Sequence, residues 1–255
     1  MSAAQRVVVT AGGAGIGAGI ARAFAADGAR VALCDLDGDA AQAVAGEIGG
    51  FGRGADVTDE DRMTAFLDAA GAWLGGVDVV CANAGIGGPA GRIDTLSLAQ
   101  WRATLAGNLD GAFLTCRWAA ERMAAAGSGC ILLTASTAGL HGYPFRAPYA
   151  TAKWGVIGLM KTLAMELGPT GVRVNALCPG AVEGARMERV LAREAPARGT
   201  SVEAVRDTYV RGVSLRSWVS AEDVAAAALV LASDAGAKIS GEALAVDGHT
   251  ETLGT

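Results

Sequence analysis

Apolar and polar positions along the chain alternate between two periods. The runs "RVVVT", "RVALCD", "GVDVVCAN", "GCILLTAS", "GVRVNALCPG" and "EALAVDG" read as strands, and Ala-rich stretches of helical period follow nearly all of them. Strands that are apolar throughout, with helices between them, predict a parallel sheet covered on both faces: a doubly wound α/β fold with right-handed crossovers. The six prolines, at 89, 144, 148, 169, 179 and 196, fall in expected loops or at element ends, as a residue without an N–H requires. The connection before the last strand is unusually long. From about 181 to 218 it carries short amphipathic helices of its own, with Met187, Val190 and Leu191 at helical spacing, an apolar face suited to covering a pocket. We expect one domain over 1–255 with this insertion in it.

Composition narrows the classes. With 51% hydrophobic residues, 18% charged residues and a net charge of −5, the chain can bury a large core and has no clustered basic surface for nucleic acid. The longest apolar run, Val224 to Ala232, is far short of the ~20 residues that cross a bilayer. Met1 to Gln5 lead into the first strand without a signal-peptide pattern, so a soluble, cytoplasmic protein with no membrane partner is expected. Five cysteines include no CxxC pair and read as small hydrophobes. Two histidines, His141 and His249, have no partners at ligand spacing, and no metal is expected.

Two places carry chemistry. The first strand runs into "AGGAGIG", Ala11 to Gly17, and then into a helix, an arrangement that brings backbone N–H groups and a helix dipole to a pyrophosphate. The second strand ends at Asp35, 35 − 17 = 18 residues past Gly17, where a carboxylate can accept from the adenosine ribose hydroxyls and repel a 2′-phosphate. NAD is therefore favoured over NADP; the other reading of Asp35 and Asp37 is that both cap the next helix. In "APYATAKWG", Tyr149 and Lys153 are four residues apart and meet on one helix face, where the ammonium can lower the phenol's pKa.

In order, these motifs resemble the short-chain dehydrogenase/reductase family of about 250 residues, from Thr10 to Asp247. "TAGGAGIG" resembles its TGxxxGxG turn, with Gly12, Gly15, Ile16 and Gly17 at the cofactor; "ADVTD" resembles its adenine contact through Asp56 and Val57; "CANAG" resembles its NNAG element through Asn83, Ala84 and Gly85. "GNLDGAF" supplies the family's helix asparagine as Asn108, "ILLTASTAG" its serine as Ser136, "YATAK" its Tyr149 and Lys153, and "CPGAV" its nicotinamide-side loop through Pro179, Gly180 and Val182. The spacing 149 − 136 = 13 agrees with the family pattern. The resemblance implies a Rossmann-like sheet of strand order 3-2-1-4-5-6-7, NAD as cofactor, and a homotetramer built through the helices around Asn108 and Tyr149 and the last strand.

It also implies the roles. Tyr149 would be general acid–base between a secondary alcohol and its ketone. Lys153 would lower its pKa and hold the nicotinamide ribose, Ser136 would bind the substrate oxygen, and Asn108 would hold a water joining Lys153 to solvent. Read alone, Ser136 could satisfy strand-end backbone and Asn108 a neighbouring turn. His141, Tyr143 and Met187 are expected in the substrate pocket. Arg186, Arg189, Arg193 and Arg198 could meet an anionic substrate or form a solvated helix face.

Several positions depart from the pattern. Ala11 stands for the first glycine and is expected to avoid positive φ, with Gly12 and Gly13 absorbing the turn. Ala82, Leu133 and Ala135 replace polar residues, and Gly184 replaces a threonine of PGxxxT, so one cofactor anchor is absent. Two other functions share this pattern: an NADPH-dependent 3-oxoacyl-thioester reductase, and a non-catalytic dinucleotide sensor, which would be expected to lose Tyr149 or Lys153.

Overall fold

The computed structural model describes residues 4–251. Seven parallel strands form one sheet in the order β3-β2-β1-β4-β5-β6-β7: β1 is Arg6–Thr10, β2 Arg30–Asp35, β3 Phe51–Gly54, β4 Val79–Ala82, β5 Gly129–Thr134, β6 Val172–Pro179 and β7 Ala243–Val246. The order reverses between β1 and β4, where Val8 pairs with Ala32 on one side and Val80 on the other. That reversal opens a crevice beyond the carboxyl ends of the central strands, the usual ligand position in such sheets.

Alternate strand residues face opposite layers. Val8, Ala32, Val80, Ile131 and Val174 pack against α3 (Glu60–Leu74), α5 (Gly111–Ala126) and α6 (Ala147–Leu167). Val7, Val9, Leu33, Cys81 and Leu132 pack against α1 (Gly15–Ala26), α2 (Gly38–Ile48) and α9 (Ala221–Ala232). Both faces of the inner strands are therefore dry, which is why those strands read as continuous apolar runs. Cys34, Cys81, Cys116, Cys130 and Cys178 are all buried and unpaired, and burial pushes the Cys116 thiol up to about 12. They are inert filler.

Between β4 and α5 lies α4 (Leu98–Leu105), started by a capping box of Ser97 and Gln100. It passes into α5 through a π-helical turn, Ala106–Asp110, centred on Asn108. Between β6 and α9 lie α7 (Ala185–Arg198) and α8 (Val202–Arg211), with Pro196 in the last turn of α7. Val182 bridges Val219 at the base of this segment. Met187, Leu191, Ala195 and Val205 form a small core there, separate from the two layers of the sheet. No helix among the described residues is long and apolar enough to cross a membrane.

Candidate active site

The crevice is a cleft of about 470 Å³. At one end the β1–α1 turn forms its floor. Ala14 begins α1 without a side-chain cap, leaving the first N–H groups of the helix directed at the cleft. Gly15 has φ +53, and a Cβ on Gly17 would lie 2.0 Å from the Ala11 carbonyl oxygen, so no side chain fits there. Gly12 lies outside the lining: it faces β2, where a Cβ would meet Leu33 Cβ at 2.8 Å.

Ala11 overturns the expectation drawn for it. Its φ is +50, whereas neither Gly12 nor Gly13 has positive φ, so the alanine itself carries the left-handed turn. Asn83 holds it there. The Asn83 amide donates to the carbonyls of Thr10 and Ala11 at 3.1 and 3.2 Å, its Oδ1 accepts from Thr134 Oγ1 at 3.0 Å, and its backbone N–H donates to Thr10 Oγ1 at 3.0 Å. One buried side chain thus ties together the ends of β1 and β5 and the turn. Ala84 is buried behind it, donating its N–H to Thr10 Oγ1 at 3.1 Å.

Asp35 lines the cleft at the end of β2, and its Oδ2 accepts from the Gly13 N–H at 3.0 Å. The two aspartates part company: Asp37 is the N-cap of α2, accepting from Asp39 and Ala40, while Asp35 faces the turn. Asp56 and Val57 stand outside the lining. Asp56 accepts from the Thr58 N–H and hydroxyl, bonds that hold its carboxyl below the usual range although burial opposes them, and Val57 packs against Gly111.

At the other end Tyr149, in the first turn of α6, shares the cleft with Ser136 and Lys153. Burial would raise the Tyr149 phenol; the charges of Lys153 and Arg186, the hydrogen bond with Ser136 and the charge of Arg146 outweigh it and set it below the ordinary tyrosine value. Lys153 is fully buried, its Nζ donating to the Thr134 carbonyl at 2.8 Å, and burial brings its pKa down to about 8. Ser136 also does what an ordinary strand-end serine does, accepting from the Ala138 N–H at 3.1 Å.

Asn108 stands behind the cleft. Its Nδ2 donates to the carbonyls of Ile86 and Thr104 at 2.9 and 2.8 Å, while its buried Oδ1 has no protein partner. Gly85 separates it from the lysine: a Cβ there would lie 2.6 Å from Asn108 Oδ1 and 3.1 Å from Lys153 Nζ. The missing side chain keeps the two polar groups in one space.

Pro179, Gly180 and Val182 line the cleft at the end of β6. Gly180 passes close to β7, where a Cβ would meet Asp247 Cβ at 2.9 Å. Gly184 has φ +124 and nothing within 4 Å of a built Cβ, so conformation and not space explains the glycine where a threonine was expected. Tyr143 and Met187 face the cleft, as expected of pocket residues. His141 does not: the short turn after Ser136, closed by His141 N–H donating to the Thr137 carbonyl, leaves it exposed outside the lining.

The arginines of α7 divide. Arg186 and Arg189 line the cleft, Arg193 donates to the Gly88 carbonyl at 3.2 Å, and Arg198 turns inward to Glu194 at 3.0 Å, so they do not form one solvated face. Glu194 and Tyr209 were not anticipated. The signal was present for Glu194, which follows Met187 and Leu191 at seven and three residues, in phase with the buried stripe of its helix.

Known proteins resemble this chain over nearly its whole length. A family model described as enoyl-(acyl carrier protein) reductase matches residues 10–249. The D-threitol dehydrogenase of Mycolicibacterium smegmatis is 38% identical over 247 residues, covering 94% of this chain and 90% of that protein. Among solved structures, the 3-ketoacyl-(acyl-carrier-protein) reductase from Brucella melitensis complexed with NADH superimposes with TM-score 0.87 at 30% identity, covering 97% of this chain and 98% of that one. The NAD+-bound xylitol dehydrogenase does so with TM-score 0.90 at 27% identity, covering 94% and 96%.

Proposed function

The chain belongs to the short-chain dehydrogenase/reductase family, and from that premise we propose that it is an NAD-linked oxidoreductase interconverting a secondary alcohol and its ketone, with Tyr149 as general acid–base. The observation that carries this reading is the convergence of Tyr149, Ser136 and buried Lys153 at one end of a cleft whose other end is a glycine-lined helix N-terminus.

The residues at that end fit a dinucleotide. The space above Gly17, the uncapped N–H groups of α1 and the Asp35 carboxylate suit a pyrophosphate and a ribose bearing free hydroxyls. Bound there, the nicotinamide supplies the hydride acceptor or donor. Pro179, Gly180 and Val182 would face that half of the cofactor, and the Asp35 charge would disfavour a 2′-phosphate.

In alcohol oxidation the Tyr149 phenolate takes the hydroxyl proton, while the Ser136 hydroxyl donates to the substrate oxygen and steadies the charge that develops there. The lowered phenol pKa makes the base available at a lower pH than a free tyrosine would. Lys153 holds the phenolate electrostatically, and Asn108 Oδ1, facing the same space, accepts from a water that carries the proton onward.

Reduction of a 3-oxoacyl thioester is a second reading, favoured by the likeness to the 3-ketoacyl reductase complexed with NADH. It uses the same residues in the opposite direction. A homotetramer through α5 and α6 is supported by the apolar side chains those helices leave exposed, Phe113, Trp154 and Met165. Light scattering on the purified protein reads that assembly.

The deciding experiment is turnover of secondary alcohols with NAD and NADP, and of ketones and 3-oxoacyl thioesters with both reduced cofactors, in wild type and Tyr149→Phe. NAD-linked alcohol or ketone turnover that vanishes in the variant supports the proposal. Turnover of thioesters alone selects the second reading. Cofactor binding without turnover of any substrate class would make the protein a dinucleotide sensor.

A further inference from the structure

The cleft wall contains a buried charge that neither the dinucleotide nor the proton transfer requires. Glu194 of α7 is 0% exposed and Arg146, just ahead of α6, is 3% exposed; they pair at 2.7 Å. Glu194 Oε1 also accepts from the hydroxyls of Tyr143 at 2.8 Å and Tyr209 at 2.9 Å, and its Oε2 accepts from Arg198 at 3.0 Å. Burying such a pair generally stabilises a fold no better than apolar residues of the same volume, so its presence calls for a role other than stability.

The position of Arg146 supplies one. Its guanidinium lies 5.1 Å from the centre of the Tyr149 ring and 5.3 Å from that of Tyr143, and its Nη2 donates to the Gly87 carbonyl at 2.7 Å. Three cations act on the Tyr149 phenol: Lys153 from its own helix, Arg186 from α7 and Arg146 from the segment before α6. Lys153 is fixed by Thr134, and Arg186 is exposed at the mouth of the cleft. Arg146 is fixed by Glu194, the carboxylate that gathers α7, α8 and the Tyr143 segment at one point. Elsewhere α7 and α8 are held largely by their own small core.

We propose that Glu194 is a positioning residue for the catalytic phenol, holding the Arg146 guanidinium against the Tyr149 ring while fastening the α7–α8 cover over the cleft. The proposal rests on Tyr149 being the acid–base group, but its test does not depend on turnover. The cover and the base are joined by one ion pair, so a loosened cover releases the cation that favours the phenolate.

The measurement is ultraviolet difference titration of the tyrosinate, with Tyr149 isolated among the three tyrosines of the chain by subtracting Tyr149→Phe. Arg146→Met is expected to raise the Tyr149 midpoint by about half a pH unit or more, the scale for losing one nearby cation. Glu194→Gln is expected to raise it too, and Glu194→Gln combined with Arg146→Met to raise it no further than Arg146→Met alone. The sign is diagnostic, because removing a negative charge that acted directly on the phenol would lower the midpoint. If Glu194→Gln does not fold, Glu194→Asp keeps the countercharge and shortens the reach, and the same rise is expected. An unchanged or lowered midpoint in the folded Glu194 variant, or a further rise in the double variant, overturns the proposal. Loss of turnover in Tyr149→Phe is a separate result and tests the acid–base assignment alone.

Discussion

Lys153 Nζ stands 5.7 Å from the centre of the Tyr149 ring, one turn along α6, with its ammonium anchored on the Thr134 carbonyl. Burial raises the phenol and the neighbouring cations and Ser136 lower it by more, so Tyr149 titrates below the ~10 of a free tyrosine. Oxidation needs the phenolate and reduction needs the phenol. Plots of kcat/KM against pH should therefore rise in the alcohol direction and fall in the ketone direction through one midpoint below that of free tyrosine. Midpoints at or above it in both directions would refute the electrostatic account. Tyr149→Phe should cost about two to four decades in either direction.

The same lysine is a stability liability. Burial brings its pKa from 10.5 to about 8, a lowered folded-state value, so its charged form is disfavoured in the folded chain. The penalty is full below pH 8 and fades as pH rises from there towards 10.5. At neutral pH it amounts to roughly 3 kcal/mol, offset by about 1 kcal/mol for the bond to Thr134. Lys153→Met should therefore unfold at a higher temperature than wild type at pH 7, with the gain shrinking towards pH 10, while turnover collapses. A lower melting temperature at pH 7 would show that the ammonium's contacts outweigh its desolvation.

Asp35 reaches both the turn and the cleft, accepting from the Gly13 N–H at 3.0 Å. If its charge selects the cofactor, Asp35→Ala should narrow the NAD/NADP ratio of kcat/KM by a decade or more, equivalent to about 1.4 kcal/mol. Steady-state kinetics with the two cofactors reads this directly. An unchanged ratio would reduce Asp35 to a bracket for the Gly13 turn.

Five strands were legible because burial on both faces imposes continuous apolar runs, and the edge strand β7 because its short apolar run ends in a polar turn. The seventh, β3, was not: "FGRG" has a single apolar residue and two glycines. Tertiary pairing makes it a strand, with Ala32 opposite Phe51 and Asp35 opposite Gly54. Its glycine is dictated by α2, since a Cβ on Gly52 would lie 2.5 Å from the Ala41 carbonyl oxygen. Tyr149 and Lys153 were legible because helical spacing alone puts them on one face. Glu194 and Tyr209 were not paired in advance, because Glu194 meets Arg146 and Tyr209 only after α7 and α8 fold back over the cleft.

Ala11 stores strain that a single substitution should release. At φ +50 an alanine costs about 1–2 kcal/mol relative to the right-handed region, because its Cβ crowds the following carbonyl. The amide of Asn83 holds the residue there through the Ala11 carbonyl, and that bond is made by the backbone, so it survives loss of the methyl. Glycine occupies this region without the clash but gives up about 0.5–1 kcal/mol through the freedom it gains in the unfolded chain. Ala11→Gly should thus stabilise the protein by on the order of 0.5–1 kcal/mol, raising the melting temperature by about 1–3 °C. Dinucleotide affinity should stay within about twofold, since the Gly17 approach and the uncapped start of α1 are untouched. A variant that melts below wild type would mean that the methyl group makes a packing contribution larger than the strain it imposes.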